Sequence, residues 1–164
     1  MAAENNIKYS KSDITKQFNE LKNEIEYLIN ENFKMFLKTR NITNIQNYEK
    51  YYSIFHDNYK EYIIKNGGFI YSTYQDDEII GILYINKYNY IDSLFIKEEY
   101  RGQQIGTNLL RIVLDEYKNK DITLTCNKNT LSFYKSLGFI ENNELKDKNS
   151  KIYQLIYKHQ AMQY

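Results

Sequence analysis

The chain has 164 residues and a mass of 19.8 kDa, the size of one ordinary domain able to bury roughly two-thirds of its unfolded surface. Hydrophobic residues make up 42% and charged residues 26%, and 22 basic against 21 acidic side chains leave a formal charge of +1, which argues against both disorder and a polyanion-binding tail. Proline is absent, where average usage of roughly 5% predicts about eight, so polyproline segments and slow X-Pro isomerisation are excluded. Ile, Asn, Lys and Tyr supply 22, 20, 19 and 18 residues, a bias read as A/T-rich coding rather than function.

Ile7 to Tyr9 is the first strand candidate. Apolar residues then recur at steps of three and four through Phe18, Leu21, Ile25, Leu28, Ile29, Phe33, Phe36 and Leu37, which predicts a helix, with Ser12 or Asp13 as N-cap. A second helix is expected over about Ile45 to Lys65, with Tyr48, Tyr52, Phe55, Tyr59, Tyr62 and Ile63 on one side, stopped by Gly67-Gly68. The period then changes to two. Phe69 to Tyr74, Ile79 to Ile85 and Tyr90 to Ile96 read as strands joined by short polar turns, an antiparallel meander. Gly106 to Tyr117 reads as a helix, Ile122 to Cys126 as a buried strand, Asn129 to Leu137 as a helix closed by Gly138, and Phe139 to Glu144 with Lys151 to Tyr157 as a final strand pair. No repeat or linker divides the chain, so residues 1–164 are expected to form one α/β (α+β) domain, with a mixed, mostly antiparallel sheet of about seven strands and about four helices.

Cys126 stands alone, so neither a disulfide nor a Cys/His metal site is expected. The N-terminus lacks a signal-peptide pattern and the longest apolar run, Ile79 to Ile85, is too short for a bilayer. A cytoplasmic protein without membrane contact follows as the expectation.

The chemically informative stretch runs from Tyr90 to Phe139. Between its strand and helix lies Arg101-Gly102-Gln103-Gln104-Ile105-Gly106-Thr107. Glycines let amides turn inward and a helix start adds free N–H groups, so the segment suits a phosphate; two glycines alone equally make a plain strand-to-helix turn. The spacing is neither a dinucleotide fingerprint nor a P-loop.

Two separated patterns make this stretch resemble the GCN5-related N-acetyltransferases. The first is Arg/Gln-x-x-Gly-x-Gly/Ala, matched at Arg101 and Gly106 and preceded by the strand Ile91-Asp92-Ser93-Leu94-Phe95-Ile96. The second is Asn-x-x-Ala-x-x-x-Tyr-x-x-x-Gly-Phe, matched in Asn127 to Phe139 at Asn127, Tyr134, Gly138 and Phe139. The element order agrees over the rest of the chain. Three positions depart: Gln104 replaces the loop's middle glycine, Glu98 stands where proline is frequent, and Thr130 stands where alanine or serine is usual. With a negative φ, the Gln104 amide still points at phosphate.

The resemblance implies a sheet splayed between its fourth and fifth strands, with acetyl-CoA in the gap. It implies pantetheine binding along Leu94, Phe95 and Ile96, pyrophosphate binding by Arg101, Gly102, Gln103, Gln104, Ile105, Gly106 and Thr107, and a further pantetheine contact from Asn127. Tyr134 is then the cofactor-proximal proton donor to the leaving thiolate, its alternative being a core tyrosine. Asp92 is the candidate general base for the amine; strand alternation puts it on one face with Tyr90, Leu94 and Ile96, where partial desolvation raises its pKa, the alternative being a strand-edge aspartate in a solvent network. His56 is a weaker candidate, and Cys126 reads as a small buried hydrophobe. The implied activity is direct acetyl transfer to a primary amine of a small molecule, peptide or protein, by a monomer or homodimer without a metal. A non-catalytic acyl-CoA-binding sensor or partner-recognition module is the alternative. A nucleic-acid partner is not expected of a +1 chain without a basic stripe. Acceptor choice is assigned to the two N-terminal helices, the connection Arg40 to Asn47 and the hairpin Lys146 to Ser150. Tyr48, Tyr51, Tyr52 and Tyr59 read either as a core face or as lining of an aromatic acceptor pocket.

Overall fold

The computed structural model describes residues 6–142 and 151–159. In chain order it has β1 (Ile7–Asp13), α1 (Ile14–Gln17), α2 (Lys22–Thr39), α3 (Tyr48–Asn66), β2 (Phe69–Gln75), β3 (Glu78–Ile85), β4 (Tyr90–Ile96), α4 (Ile105–Glu116), β5 (Ile122–Asn127), α5 (Lys128–Ser136), β6 (Ile140–Glu141) and β7 (Ile152–Tyr157). One mixed seven-stranded sheet carries them in the order β1-β2-β3-β4-β5-β7-β6, with β4–β5 as its parallel pair.

The first helical stretch is broken where periodicity predicts continuity. Asp13 caps α1 by accepting from the Lys16 amide at 3.2 Å, and its own amide donates to Gln17 Oε1 at 2.9 Å. The chain tightens into a 3₁₀ turn over Phe18–Glu20 and re-enters a helix at Lys22. The second helix starts three residues later than expected because Asn47 is left-handed at φ 64°, and the Asn47 carbonyl accepts from Lys50 and Tyr51. The final pair is found as β6 and β7 in antiparallel register; β6 is shorter than expected, with Phe139 and Asn142 outside the strand, and residues 143–144 and the Lys146–Ser150 hairpin lie outside the described residues.

Both faces of the sheet are covered. Ile14, Leu21, Ile25, Leu28, Ile29 and Ile63 pack on Ile70, Ile82 and Tyr84 on one side. Ile105, Leu109, Leu110, Val113 and Leu114 of α4 pack on Tyr71, Leu83, Ile85, Ile91, Ile122 and Leu124 on the other. This double cover explains why β3 is apolar almost throughout.

Two features of β4 position the site. Tyr84 pairs with Ser93 and Ile85 with Ile91, so Asp92 is the extra residue of a β-bulge. The slip reverses the alternation: Ile91, Leu94 and Ile96 pack on the α4 side, whereas Asp92 and Ser93 both bond toward α2 and α3. The expectation that Asp92 shares a face with Leu94 and Ile96 is therefore corrected. In addition, β4 pairs with β5 only at Tyr90–Thr123 and Ile91–Leu124, although β5 pairs with β7 along its whole length. Beyond Ile91 the sheet is open, as the resemblance implies.

Candidate active site

The gap exposes one edge of a strand. From Ser93 to Ile96, β4 is paired with β3 alone, so its gap-side backbone groups have no strand partner. The Leu94 and Ile96 side chains sit against the α4 cluster and Phe95 against the opposite one, fixing the strand from both faces.

After Ile96 the chain makes a 3₁₀ turn over Glu98–Tyr100, held by Tyr100 N–H to Lys97 C=O at 2.9 Å and Arg101 N–H to Glu98 C=O at 3.1 Å. The Arg101 side chain turns back, its Nε donating to the Ile96 carbonyl at 3.1 Å. Gly102 has φ 80° and no atom near the place of a side chain, while Gln103 and Gln104 are exposed. Gln104 has φ 64° and ψ 17°, not the negative φ expected of a residue with a side chain; it occupies the left-handed region that glycine fills without strain. α4 then opens with Asn108 N–H to Gln104 C=O at 2.9 Å, which leaves the amides of Ile105, Gly106 and Thr107 without intrahelical acceptors. Ile105 is buried and anchors this end, and Gly106 lies close enough that an added Cβ would stand 3.4 Å from Ile96 Cγ1. A free strand edge leading to the amides of a helix N-terminus fits a ligand that joins an extended amide chain to a phosphate.

Across the gap, Asn127 ends β5 and caps α5: its Oδ1 accepts from the Asn129 and Thr130 amides at 3.0 and 3.3 Å. The acceptor oxygen is thus committed to the helix, which leaves the amide NH₂ of the exposed Asn127 as its donor for other contacts. Tyr134, two turns along α5, packs edge-on against Phe133 and Phe139 at 5.1 and 5.8 Å. Burial, with the adjacent Cys126 thiol, pushes its phenol up to about 12, so it keeps its proton at neutral pH. Cys126 is buried and its thiol is also pushed up, which makes it a poor nucleophile.

Asp92 occupies the other side of the sheet, and among the described residues no bond joins it to Tyr134. The Tyr62 hydroxyl donates to Asp92 Oδ2 at 2.5 Å. Burial raises the Asp92 carboxyl above its ordinary range, and the Tyr62 hydrogen bond offsets part of that rise. Tyr59, Tyr62 and Tyr84 are all raised by burial and by the Asp92 charge, and no cation among the described residues neutralises it. Ser93 ties the neighbourhood together, since Asn32 Nδ2 donates to its Oγ at 3.1 Å and Tyr59 lies 3.3 Å from it. Tyr90 reaches across to β5, its hydroxyl 2.9 Å from Thr125 Oγ1. Sequence periodicity registers Tyr59 and Tyr62 as one helix face but not as partners of Asp92; that contact depends on the bulge. His56 is elsewhere, its Nε2 2.7 Å from Glu26 Oε1 between α3 and α2.

Residues 16–154 match an acetyltransferase (GNAT) domain family. No curated protein sequence matches the chain. Among solved structures, Escherichia coli ElaA superposes with a TM-score of 0.63 at 16% identity, covering 93% of this chain and 99% of its own. The PaiA N-acetyltransferase of Thermoplasma acidophilum, solved with coenzyme A, gives 0.58 at 20% identity over 93% and 98%. Arabidopsis thaliana Naa50, solved with the bisubstrate analogue CoA-Ac-MVNAL, gives 0.51 at 22% identity over 92% and 98%. These likenesses establish a common fold, and the domain match over most of its length shows that this chain belongs to the GNAT acetyltransferase family.

Proposed function

We propose that residues 1–164 form a single acetyltransferase domain that moves an acetyl group from acetyl-CoA directly to a primary amine of a small molecule, peptide or protein. The observation that carries this reading is the opening between β4 and β5, with a free strand edge and a helix N-terminus on its rim; an Asp92 carboxyl raised by burial and a Tyr134 phenol that keeps its proton support it. The bound coenzyme A of PaiA and the bisubstrate analogue of Naa50 support coenzyme A as the natural guest of such a sheet.

Acetyl-CoA would supply an acetyl thioester whose carbonyl carbon bonds to the amine nitrogen as the carbon–sulfur bond breaks. The backbone of Leu94 to Ile96 holds the amide-bearing arm, the amides of Gly102 to Thr107 with Arg101 hold the pyrophosphate, and the Asn127 Nδ2 donates from the far rim. Asp92 receives the proton that the ammonium must lose, a task suited to a carboxylate that burial raises above its ordinary range. Tyr134 donates its phenolic proton to the departing sulfur, which its raised pKa keeps available. The lone Cys126 supports a reducing, cytoplasmic setting.

Asp92→Asn tests the base. Its kcat/KM at pH 7 is expected to fall about a hundredfold, acetyl-CoA affinity to stay within about twofold, and part of the loss to return at high pH where the amine is neutral without help. An unchanged kcat/KM removes Asp92 from the role.

A further inference from the structure

α2 and α3 enclose an open groove of about 630 Å³ lined by Phe33, Phe36 and Leu37 on one helix and Tyr51, Ile54 and Phe55 on the other. Among the described residues no Asp, Glu, Lys or Arg lines it; its polar side chains are the amides of Asn44, Gln46 and Asn58 and the Tyr51 hydroxyl, and the Arg40 guanidinium lies 4.0 Å from the ring centroid of Phe36. Tyr51 is 57% and Ile54 51% exposed, an unusual cost for two large apolar residues on a helix with only one fully buried position.

The α3 wall of the groove continues along the helix toward Tyr62, which bonds Asp92. Tyr51, Phe55, Asn58 and Tyr62 recur at steps of four, three and four and so share one face of α3, and Asn58 stands one turn, about 6 Å, from Tyr62. Phe55, Tyr59 and Tyr62 form a continuous aromatic file, with centroids 5.8 and 5.6 Å apart. At its end the Asp92 carboxylate accepts from Tyr62 of α3 and lies near Tyr59 of α3 and Tyr84 of β3, its neighbour Ser93 is bonded to Asn32 of α2, and no cation among the described residues partners it. An uncompensated carboxylate ringed by phenols is complementary to an ammonium. A groove lined without a carboxylate among the described residues is complementary to an uncharged body, because a second ammonium placed there would be desolvated without an anion and with the Arg40 guanidinium already over Phe36.

We propose that the acceptor is a primary amine on an uncharged, apolar body about 10 Å long, with its ammonium at Asp92 and its body along α3 in this groove. The assignment rests on reading Asp92 as the base. It excludes free amino acids, whose carboxylate beside the amine would meet Asp92 without a cation, and it excludes polyamines, whose distal ammonium would find no anion among the described residues of the groove.

The test compares octylamine with 1,7-diaminoheptane, equal in length but ending in methyl or ammonium. Both are titrated calorimetrically into the full chain without acetyl-CoA, and both serve as acceptors with it. Octylamine is expected to exceed the diamine at least about tenfold in binding constant and in kcat/KM. Ile54→Glu is expected to bring both ratios to about one or below, because its carboxylate pairs with the distal ammonium of the diamine and takes an apolar wall from the octyl chain; because each ratio is taken within one preparation, partial misfolding does not alter it. Equal or reversed preference in the parent chain overturns the proposal, as does a preference that survives Ile54→Glu. Light scattering adds a further outcome: if Ile54→Glu dissociates a dimer and leaves the preference intact, the groove seats a second copy and the proposal fails. A binding preference without turnover of any amine supports the groove's chemistry and removes the acetyl-transfer reading instead.

Discussion

Gln104 is the position where this chain pays most visibly for its loop. A residue with a side chain at φ 64° and ψ 17° lies in the left-handed region, which costs about 1–2 kcal/mol for an L-residue. Glycine is unstrained there and loses about 0.5–1 kcal/mol more backbone entropy on folding. The Gln104 side chain is exposed and caps nothing, so its removal forfeits no packing. Gln104→Gly should therefore stabilise the protein by about 0.5–1 kcal/mol, which for a chain of this size raises Tm by about 1–4 °C. Gln104→Ala keeps both the Cβ and the strain and should melt within about 1 °C of the parent. Thermal unfolding by calorimetry reads both, and calorimetric titration of acetyl-CoA should show binding to the glycine variant at least as tight. A Gln104→Gly variant that melts at or below the parent would refute the assignment of strain to this residue.

Gly68 is the converse case: it has φ 97°, and a Cβ there would stand 2.1 Å from the Ile85 carbonyl oxygen, so Gly68→Ala should cost about 3 kcal/mol in denaturant unfolding. Burial raises Asp92, so between the ordinary carboxylate value of 3.8 and its higher folded value the native state holds a proton that the unfolded chain has released; stability falls as pH rises through that window and stays reduced above it. Asp92→Asn, neutral throughout, should consequently be more stable than the parent at pH 7, with the difference closing as pH falls toward 3.8. Tyr134→Phe should lower turnover about a hundredfold while the acetyl-CoA dissociation constant moves less than about twofold; undiminished turnover removes the phenol from proton donation. The loop from Lys97 to Gln104, with Glu98 in place of a stiffening proline, should show slower amide hydrogen exchange with acetyl-CoA bound than without it, and equal rates would contradict its use as the phosphate cradle.

What the sequence discloses about this fold depends on how local the cause is. The meander from Phe69 to Ile96 is legible because its alternation and its two polar turns are short-range signals, and α4 and α5 are legible to within a residue because Gly106, Asn127 and Gly138 punctuate them. The break between α1 and α2 is hidden because Phe18 and Leu21 continue the apolar period through a turn that is no longer α-helical. The start of α3 is hidden in the same way, since the left-handed Asn47 sits inside a periodic run. The bulge at Asp92 has no local signature at all. It is a property of how β4 registers on β3, and it moves Leu94 and Ile96 to the opposite face while turning Asp92 toward Tyr62. Site residues carried by spacing, Asn127 and Tyr134 among them, are thus readable as candidates, while the tyrosine ring around Asp92 becomes visible only when α3 is laid on the sheet.

Release of free thiol from acetyl-CoA, followed continuously across a panel of primary amines with the full chain, separates acetyl transfer from cofactor binding alone. Acetyl transfer is expected to give release that requires an amine, saturates with it and yields the N-acetylated product in equal amount. Saturable acetyl-CoA binding with no thiol released by any amine would contradict the proposed activity and identify the chain as a binding module of the same fold.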